Sequence, residues 1–173
     1  AKDEILALIP FEMPLLPKYV PHSKAAIITL ILLLPGFAKR EAIQLGYDEA
    51  LMLDNDGYIS EGTGENIYIV RNGLIKTTPI TTVLEGITRD CVFNVASDYG
   101  ITIKEQRFTR DELYIADEVF LSGTAAEITP VREVDDRKVG KVKPGKITRL
   151  IQDEYSNMVK ASNNKYLKWL TKI

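Results

Sequence analysis

The sequence predicts a mixed α/β domain in which strands mostly follow one another along the chain and helices are interspersed. Three observations carry this. Short apolar segments recur between turns rich in Gly, Asn and Asp, which marks hairpins. Two longer segments, 88–99 and 145–159, read as helices, the first with Val92, Val95, Ala96 and Tyr99 at helical spacing. Strands and helices do not alternate in a steady βαβ rhythm, so a doubly wound dinucleotide-binding domain is not expected.

The elements follow in order. Pro10, Pro14, Pro17 and Pro21 interrupt the first 21 positions, where no long regular element is expected. Residues 25–34 read AAIITLILLL, too short for a bilayer span of about 20 residues; a buried helix or strand closed by Pro35-Gly36 is expected. Residues 38–45 read as a helix stopped by Gly46. Strands 50–53 and 58–60 flank the turn Asp54-Asn55-Asp56-Gly57. Strands 66–70 and 74–77 flank Arg71-Asn72-Gly73, a hairpin signal. Gly100 stops the helix 88–99, and 101–106 reads as a strand. Thr109-Arg110-Asp111-Glu112 matches a capping box opening a short helix to about residue 116. Residues 118–121, 128–134 and 138–139 are strands, the last two joined at Asp135-Asp136. The helix 145–159 follows, and 166–170 adds a final turn.

The length of 173 residues suits one domain with a real core, and 45% hydrophobic with 27% charged residues is ordinary for a globular protein. A net charge of −2 gives no basic field to draw in nucleic acid. The single Cys91 rules out an internal disulfide and fits a reducing compartment, and the single His22 excludes any site needing two histidines. The expectation is a cytoplasmic protein with no metal, no membrane and no nucleic acid among its partners.

Three stretches could carry chemistry. Ser60-Glu61-Gly62-Thr63-Gly64-Glu65-Asn66 follows a strand, and its glycines let backbone approach a ligand closely. Gly86-Ile87-Thr88-Arg89-Asp90 opens a helix, where free N–H groups and the positive dipole end favour an anion, commonly phosphate. Ser122-Gly123-Thr124-Ala125-Ala126-Glu127 joins two strands through small and hydroxylated residues that can form a nest of N–H groups. Each alone also reads as an ordinary turn or helix start.

Together, in this order and spacing, they resemble the cofactor signature of fold-type IV pyridoxal-phosphate enzymes, and most closely that of branched-chain amino acid aminotransferases. The resemblance runs from about Ala38 to the C-terminus through AKREAIQLGYDEALMLD, GYISEGTGENIYIV, LEGITRD and DELYIADEVFLSGTAAEITPVREVD. It implies the family's larger C-terminal domain, a pseudo-barrel sheet flanked by helices, and pyridoxal 5′-phosphate as cofactor. It also implies transamination of leucine, isoleucine and valine with 2-oxoglutarate. By the same resemblance Glu61 contacts the pyridine nitrogen, and Gly86, Ile87 and Thr88 form the phosphate site, with a hydroxyl from Thr124. Leu84 packs on the ring, Gly64 lines the cavity, and Thr124 and Ala125 present N–H groups to the substrate carboxylate. The family's site borrows residues from a second subunit, so a homodimer or higher homo-oligomer is implied. Other activities of the superfamily, D-amino acid transamination or aminodeoxychorismate lysis, are the runner-up enzymatic readings.

The match is weakest at the N-terminus. In that family the catalytic lysine precedes a Gly-Asn-Tyr or Gly-Ala-Tyr triplet, which this chain does not contain. Counting back without gaps from Gly46-Tyr47 puts Ile27 at the lysine position and Leu32 at the tyrosine position. Lys24 lies three residues earlier, in Pro21-His22-Ser23-Lys24-Ala25, and is the expected catalytic lysine if a short insertion follows it; Lys39 is the other candidate. Otherwise the chain is a non-catalytic homologue or fragment. Residues 1–36 are thus expected to form an atypical lead-in and 37–173 the cofactor-binding domain, with the family's N-terminal domain absent from this chain.

Overall fold

The structure is a computed structural model that describes residues 4–8, 24–81, 83–140, 144–162 and 164–169. Its strands are β1 (Glu4–Leu8), β2 (Glu49–Leu53), β3 (Ile59–Gly62), β4 (Asn66–Arg71), β5 (Leu74–Thr77), β6 (Ile103–Glu105), β7 (Glu118–Gly123), β8 (Glu127–Val134) and β9 (Arg137–Lys138). Its helices are α1 (Lys24–Gln44), α2 (Ile87–Asp98), α3 (Arg110–Tyr114) and α4 (Lys146–Val159), followed by a 3-10 turn at Asn164–Trp169. The strands form a mixed sheet in the order β3-β2-β1-β8-β7-β4-β5-β6, with β9 added on β8. The expected α/β class with helices flanking a mixed sheet is therefore the observed one.

Local chemistry explains the hairpins. Between β4 and β5 the register pairs Arg71 with Leu74, leaving a two-residue loop. Asn72 and Gly73 take φ of 52° and 78°, the left-handed pair that matches the twist of two antiparallel strands. Between β2 and β3 the Asp54 carboxylate accepts from the N–H groups of Asp56 and Tyr58, both at 3.0 Å. Asp135 and Asp136 close the β8–β9 loop at φ of 50° and 61°. The helix α1 stops where expected: Gly46 sits at φ 89°, and Tyr47 N–H donates back to the Ala42 carbonyl at 2.9 Å.

Four expectations change. A strand, β1, lies in the proline-rich lead-in and pairs parallel with both β2 and β8, so partners far along the chain override the local signal. Pro35 lies inside α1 rather than ending it. An interior proline loses one backbone bond and bends a helix without necessarily stopping it. Thr109 caps α3 without a side-chain bond. The capping box fails because the Glu112 carboxylate is drawn instead to the Lys76 ammonium on β5, at 2.5 Å. Finally, β5 and β6 pair parallel across α2, as β1 and β2 do across α1, βαβ connections that a sequence of adjacent hairpins does not announce.

The core splits by strand parity. On β4 and β7, Ile67, Ile69, Val119 and Leu121 point to one side and pack with Phe108, Leu113, Val131 and Val134. Tyr68, Val70 and Phe120 point to the other and meet Val92, Val95, Ile151 and Met158 of α2 and α4. Burial of each large side chain contributes roughly 1.5–3 kcal/mol. Tyr68 and Phe120 stand opposite each other in the β4–β7 register, their rings stacked with centroids 4.5 Å apart. This central pair of strands is buried on both faces, so its two ends are held rigidly. Among the described residues no helix is long and apolar enough to cross a membrane.

Candidate functional site

The three stretches singled out by sequence meet at one end of that rigid pair. The β4–β7 register sets Asn66 beside Ser122, placing the start of β4 against the end of β7. β3 delivers Glu61 and Gly62 just before β4 begins, and Gly62 N–H donates to the Glu65 carbonyl at 2.8 Å, closing a tight loop through Thr63 and Gly64. The segment between β5 and α2 returns over this end and carries Leu84 to Thr88. Together they surround a cavity of about 210 Å³ lined by Pro35, Glu61, Thr63, Gly64, Glu65, Asn66, Leu84, Glu85, Gly86, Ile87, Thr88, Ser122, Gly123 and Thr124.

Two side chains fasten Leu84. Its N–H donates to the Glu61 carboxylate at 3.1 Å, and its carbonyl accepts from Asn66 Nδ2 at 2.9 Å. Both groups belong to the β3–β4 connection, so the loop before α2 is tied to the sheet. The glycines are needed because backbones approach closely here. A Cβ on Gly86 would lie 2.8 Å from Asn66 Oδ1, and one on Gly123 would lie 2.9 Å from the Gly64 carbonyl.

The donor set suits a small anionic ring. α2 begins at Ile87, one residue earlier than expected, with Gly86 as its N-cap and no side-chain cap bond. Its first N–H groups therefore have neither helical partners nor a capping side chain. Thr88 in that first turn and Thr124 beyond β7 add hydroxyls to the same lining. Leu84 and Ile87 are 56% and 80% exposed, which leaves apolar surface at the mouth for a flat ring. Glu61 is half-buried, and burial raises its pKa above the ordinary carboxylate value while the Leu84 N–H pulls the other way.

Behind the Thr63–Gly64 wall lies a polar cluster centred on Glu49, which the sequence did not single out. Glu49, 1% exposed, accepts from its neighbour Ala50 N–H at 2.7 Å, from Thr63 Oγ1 at 2.6 Å and from Lys39 Nζ at 2.5 Å. Glu65 accepts from Gly64 N–H at 3.0 Å, and burial first, then the charge of Glu49, pushes its carboxyl up to about 7.

The structure thus brings together Glu61, Gly64, Leu84, Gly86, Ile87, Thr88 and Thr124 in one lining. Ala125 lies in the exposed β7–β8 turn and is not part of it. Lys24 is the first residue of α1, and its side chain lies outside the described residues. Pro35, the residue of α1 that reaches the lining, stands eleven positions later, about 16 Å of helix rise. Lys39 faces Glu49 rather than the cavity. Glu49 is the main omission of the sequence reading, and Asn66, though within a stretch it singled out, was given no role there. A buried Asn at a strand start was a usable signal, since its amide must find partners; Glu49 carried none. Among the described residues no group of three or more His, Cys, Asp or Glu side chains could hold a metal ion.

Comparisons with known proteins bear on this geometry. Residues 21–134 match the family model for amino-transferase class IV. The branched-chain-amino-acid aminotransferase of Pseudomonas aeruginosa is 48% identical over 134 residues, covering 78% of this chain and 44% of that protein. That of Escherichia coli K12 is 46% identical over 134 residues, covering 77% of this chain and 43% of that protein. The chain spans less than half the length of these curated relatives. Among solved structures, a T.th. branched-chain amino acid aminotransferase complexed with N-(5′-phosphopyridoxyl)-L-glutamate superposes with a TM-score of 0.85 at 38% identity, covering 98% of this chain and 56% of that one. The branched-chain aminotransferase of Thermoproteus uzoniensis with norvaline gives 0.84 at 39% identity, again covering 98% and 56%. With the family model matching more than half its length, and with the fold and cavity described above, this chain belongs to the class IV aminotransferases.

Proposed function

We propose that the chain is the cofactor-binding part of a pyridoxal-phosphate-dependent aminotransferase that moves the amino group of branched-chain L-amino acids to 2-oxoglutarate. The observation that carries this is the lining itself: an uncapped helix start with two threonine hydroxyls and a half-buried carboxylate share one small cavity. Those groups fit a flat ring with a phosphate at one end and a basic nitrogen at the other. Relatives named for this activity, and a neighbour complexed with a phosphopyridoxyl compound, support it.

Pyridoxal phosphate, when bound, supplies the electron sink for charge developing at the substrate α-carbon. The residues of the chain do the rest. The N–H groups of Ile87 and Thr88 and the hydroxyls of Thr88 and Thr124 would hold the phosphate. Gly86 lets the loop lie close to Asn66, and Gly64 keeps the opposite wall free of a side chain. Leu84 would cover one face of the ring and exclude water there. Glu61 would hold a proton on the ring nitrogen; burial raises its pKa, and the Leu84 N–H opposes that rise. Thr124 and Ala125 would orient the substrate carboxylate through backbone N–H groups. Lys24 would anchor the cofactor covalently and carry the proton to and from the substrate α-carbon. Residues 37–173, joined by β1 and the start of α1, which share their sheet and helix, would form the cofactor domain, working as a homodimer or higher homo-oligomer in the cytoplasm.

The test uses the 173-residue chain mixed with pyridoxal phosphate. A visible band that borohydride abolishes, with the fixed label on the Lys24 peptide, is expected, together with amino transfer from L-leucine to 2-oxoglutarate above that from D-alanine. A label on another lysine removes Lys24 from the site. The non-catalytic reading rests on Ile27 standing where the family carries its lysine; cofactor binding without any fixed label would favour it.

A further inference from the structure

The cluster behind the cavity wall, centred on the buried Glu49, holds two carboxyl groups and one ammonium. Glu49 on β2 receives three donors, from Lys39 of α1, Thr63 and the Ala50 N–H. Those donors satisfy the Glu49 carboxylate. Glu65 receives one N–H, from Gly64, and sits beside Glu49 with Lys39 as the nearest opposing charge. One ammonium cannot neutralise both the buried Glu49 and the half-buried Glu65 as carboxylates, so the low-cost state keeps a proton on Glu65, whose O–H then donates to Glu49. Among the described residues the other neighbours bring no compensating charge: Gly62 of β3 and Gly123 of β7 close around the Glu65 side chain, and a Cβ on them would lie 2.8 Å from Glu65 Oε2 and 3.1 Å from its Cγ. Glu61, at the end of β3, is a further carboxylate.

The same two residues shape the cavity. Glu65 pins residues 62–65 with its carbonyl on Gly62 N–H and its carboxyl on Gly64 N–H, while Glu49 holds the Thr63 hydroxyl. Thr63, Gly64 and Glu65 all line the cavity.

We propose that Glu49 and Glu65 share one proton and that this proton holds the Thr63–Gly64 wall in its binding position, making Glu65 a positioning residue whose ionisation loosens the site. Nothing is consumed: the proton passes between Glu65 and solvent. The pair itself stands on this chain's geometry, and only its effect on ligand affinity rests on the pyridoxal-phosphate reading.

Carboxyl-carbon NMR of the chain carrying isotope-labelled glutamate tests the pair without any ligand. One glutamate should titrate with a midpoint near 7. That signal should vanish in Glu65→Gln and persist in Glu61→Gln. In Lys39→Met it should move upward by about one pH unit, as removal of a neighbouring positive charge requires. A merely structural contact would not move a midpoint. No glutamate titrating near neutrality, one that survives in Glu65→Gln, or a midpoint indifferent to Lys39→Met overturns the proposal. For the wall, pyridoxamine 5′-phosphate serves as a non-covalent probe. Its dissociation constant in wild type relative to Glu65→Gln should rise about tenfold from pH 6 to pH 8, as one linked proton with a midpoint near 7 demands. A flat ratio overturns the positioning role even if the pair titrates. Binding of the probe to neither protein refutes the cofactor reading and leaves the titration to decide the pair.

Discussion

Replacing Gly86 with alanine isolates one contact at the cavity floor. Gly86 sits at φ −117° and ψ 138°, extended backbone that alanine adopts without strain. The added Cβ meets one atom too closely, Asn66 Oδ1 at 2.8 Å, while the next neighbour, Arg89 Cβ, is at an ordinary 3.7 Å. Asn66 is 6% exposed and bonded to the Leu84 carbonyl, so it cannot swing away without losing that bond. Overpacking of this kind costs about 1–3 kcal/mol, and the lost hydrogen bond about 1 kcal/mol. Against this, alanine restricts the unfolded chain and returns about 0.4–1 kcal/mol. The net expectation is a loss of about 1–3 kcal/mol for Gly86→Ala in the wild-type background. In an Asn66→Ala background the clash is gone, and the same substitution should stabilise by about 0.4–1 kcal/mol. Urea unfolding of the four proteins of this cycle, at about 25 °C, reads both numbers. Equal costs in the two backgrounds would show that Gly86 and Asn66 do not touch, and the description of the loop as tied down through Leu84 would fail with them.

Two further outcomes are expected. Glu118 accepts from Ile147 N–H, Thr148 N–H and Thr148 Oγ1 at 3.1, 2.7 and 2.7 Å, capping α4 from β7. Glu118→Ala should therefore cost about 1–3 kcal/mol, read by the urea midpoint at unchanged slope; a change under about 0.5 kcal/mol would contradict the capping role. Stability should also fall as pH rises from about 4.5 to 7: Glu65 holds its proton up to about 7 when folded but releases it near 4.5 when unfolded, so the native state binds more protons throughout that window. The difference between wild type and Glu65→Gln in melting temperature should shrink or reverse on going from about pH 5 to about pH 8, and growth of the wild-type advantage with pH would refute the assignment.

Much of this molecule is legible one segment at a time. Asn72-Gly73 reads as a hairpin because those residues accept the left-handed φ values the turn requires. The burial of Val92, Val95 and Ala96 on one face of α2 follows from their spacing. The chemistry-bearing stretches are legible only in combination, because each alone reads as an ordinary turn or helix start and it is their order and spacing that single them out. The parallel pairings of β1 are not, since nothing within Glu4–Leu8 names a partner more than a hundred residues away. The failed cap at Thr109 depends on Lys76, distant in sequence and adjacent only once β5 is placed.

The same division runs through the site. From sequence alone came the class of fold, the three stretches and the likeness that gave Glu61, Thr88 and Thr124 their expected roles. Only the tertiary structure decided that they share one cavity, that Asn66 and Glu61 grip the two sides of the Leu84 peptide, and that Glu49 stands behind the wall with Lys39 and Thr63. The reason is physical. A turn or a helix start is set by the conformational preferences of the few residues in it, whereas a buried amide or carboxyl is defined by its partners, and the fold alone brings those within reach.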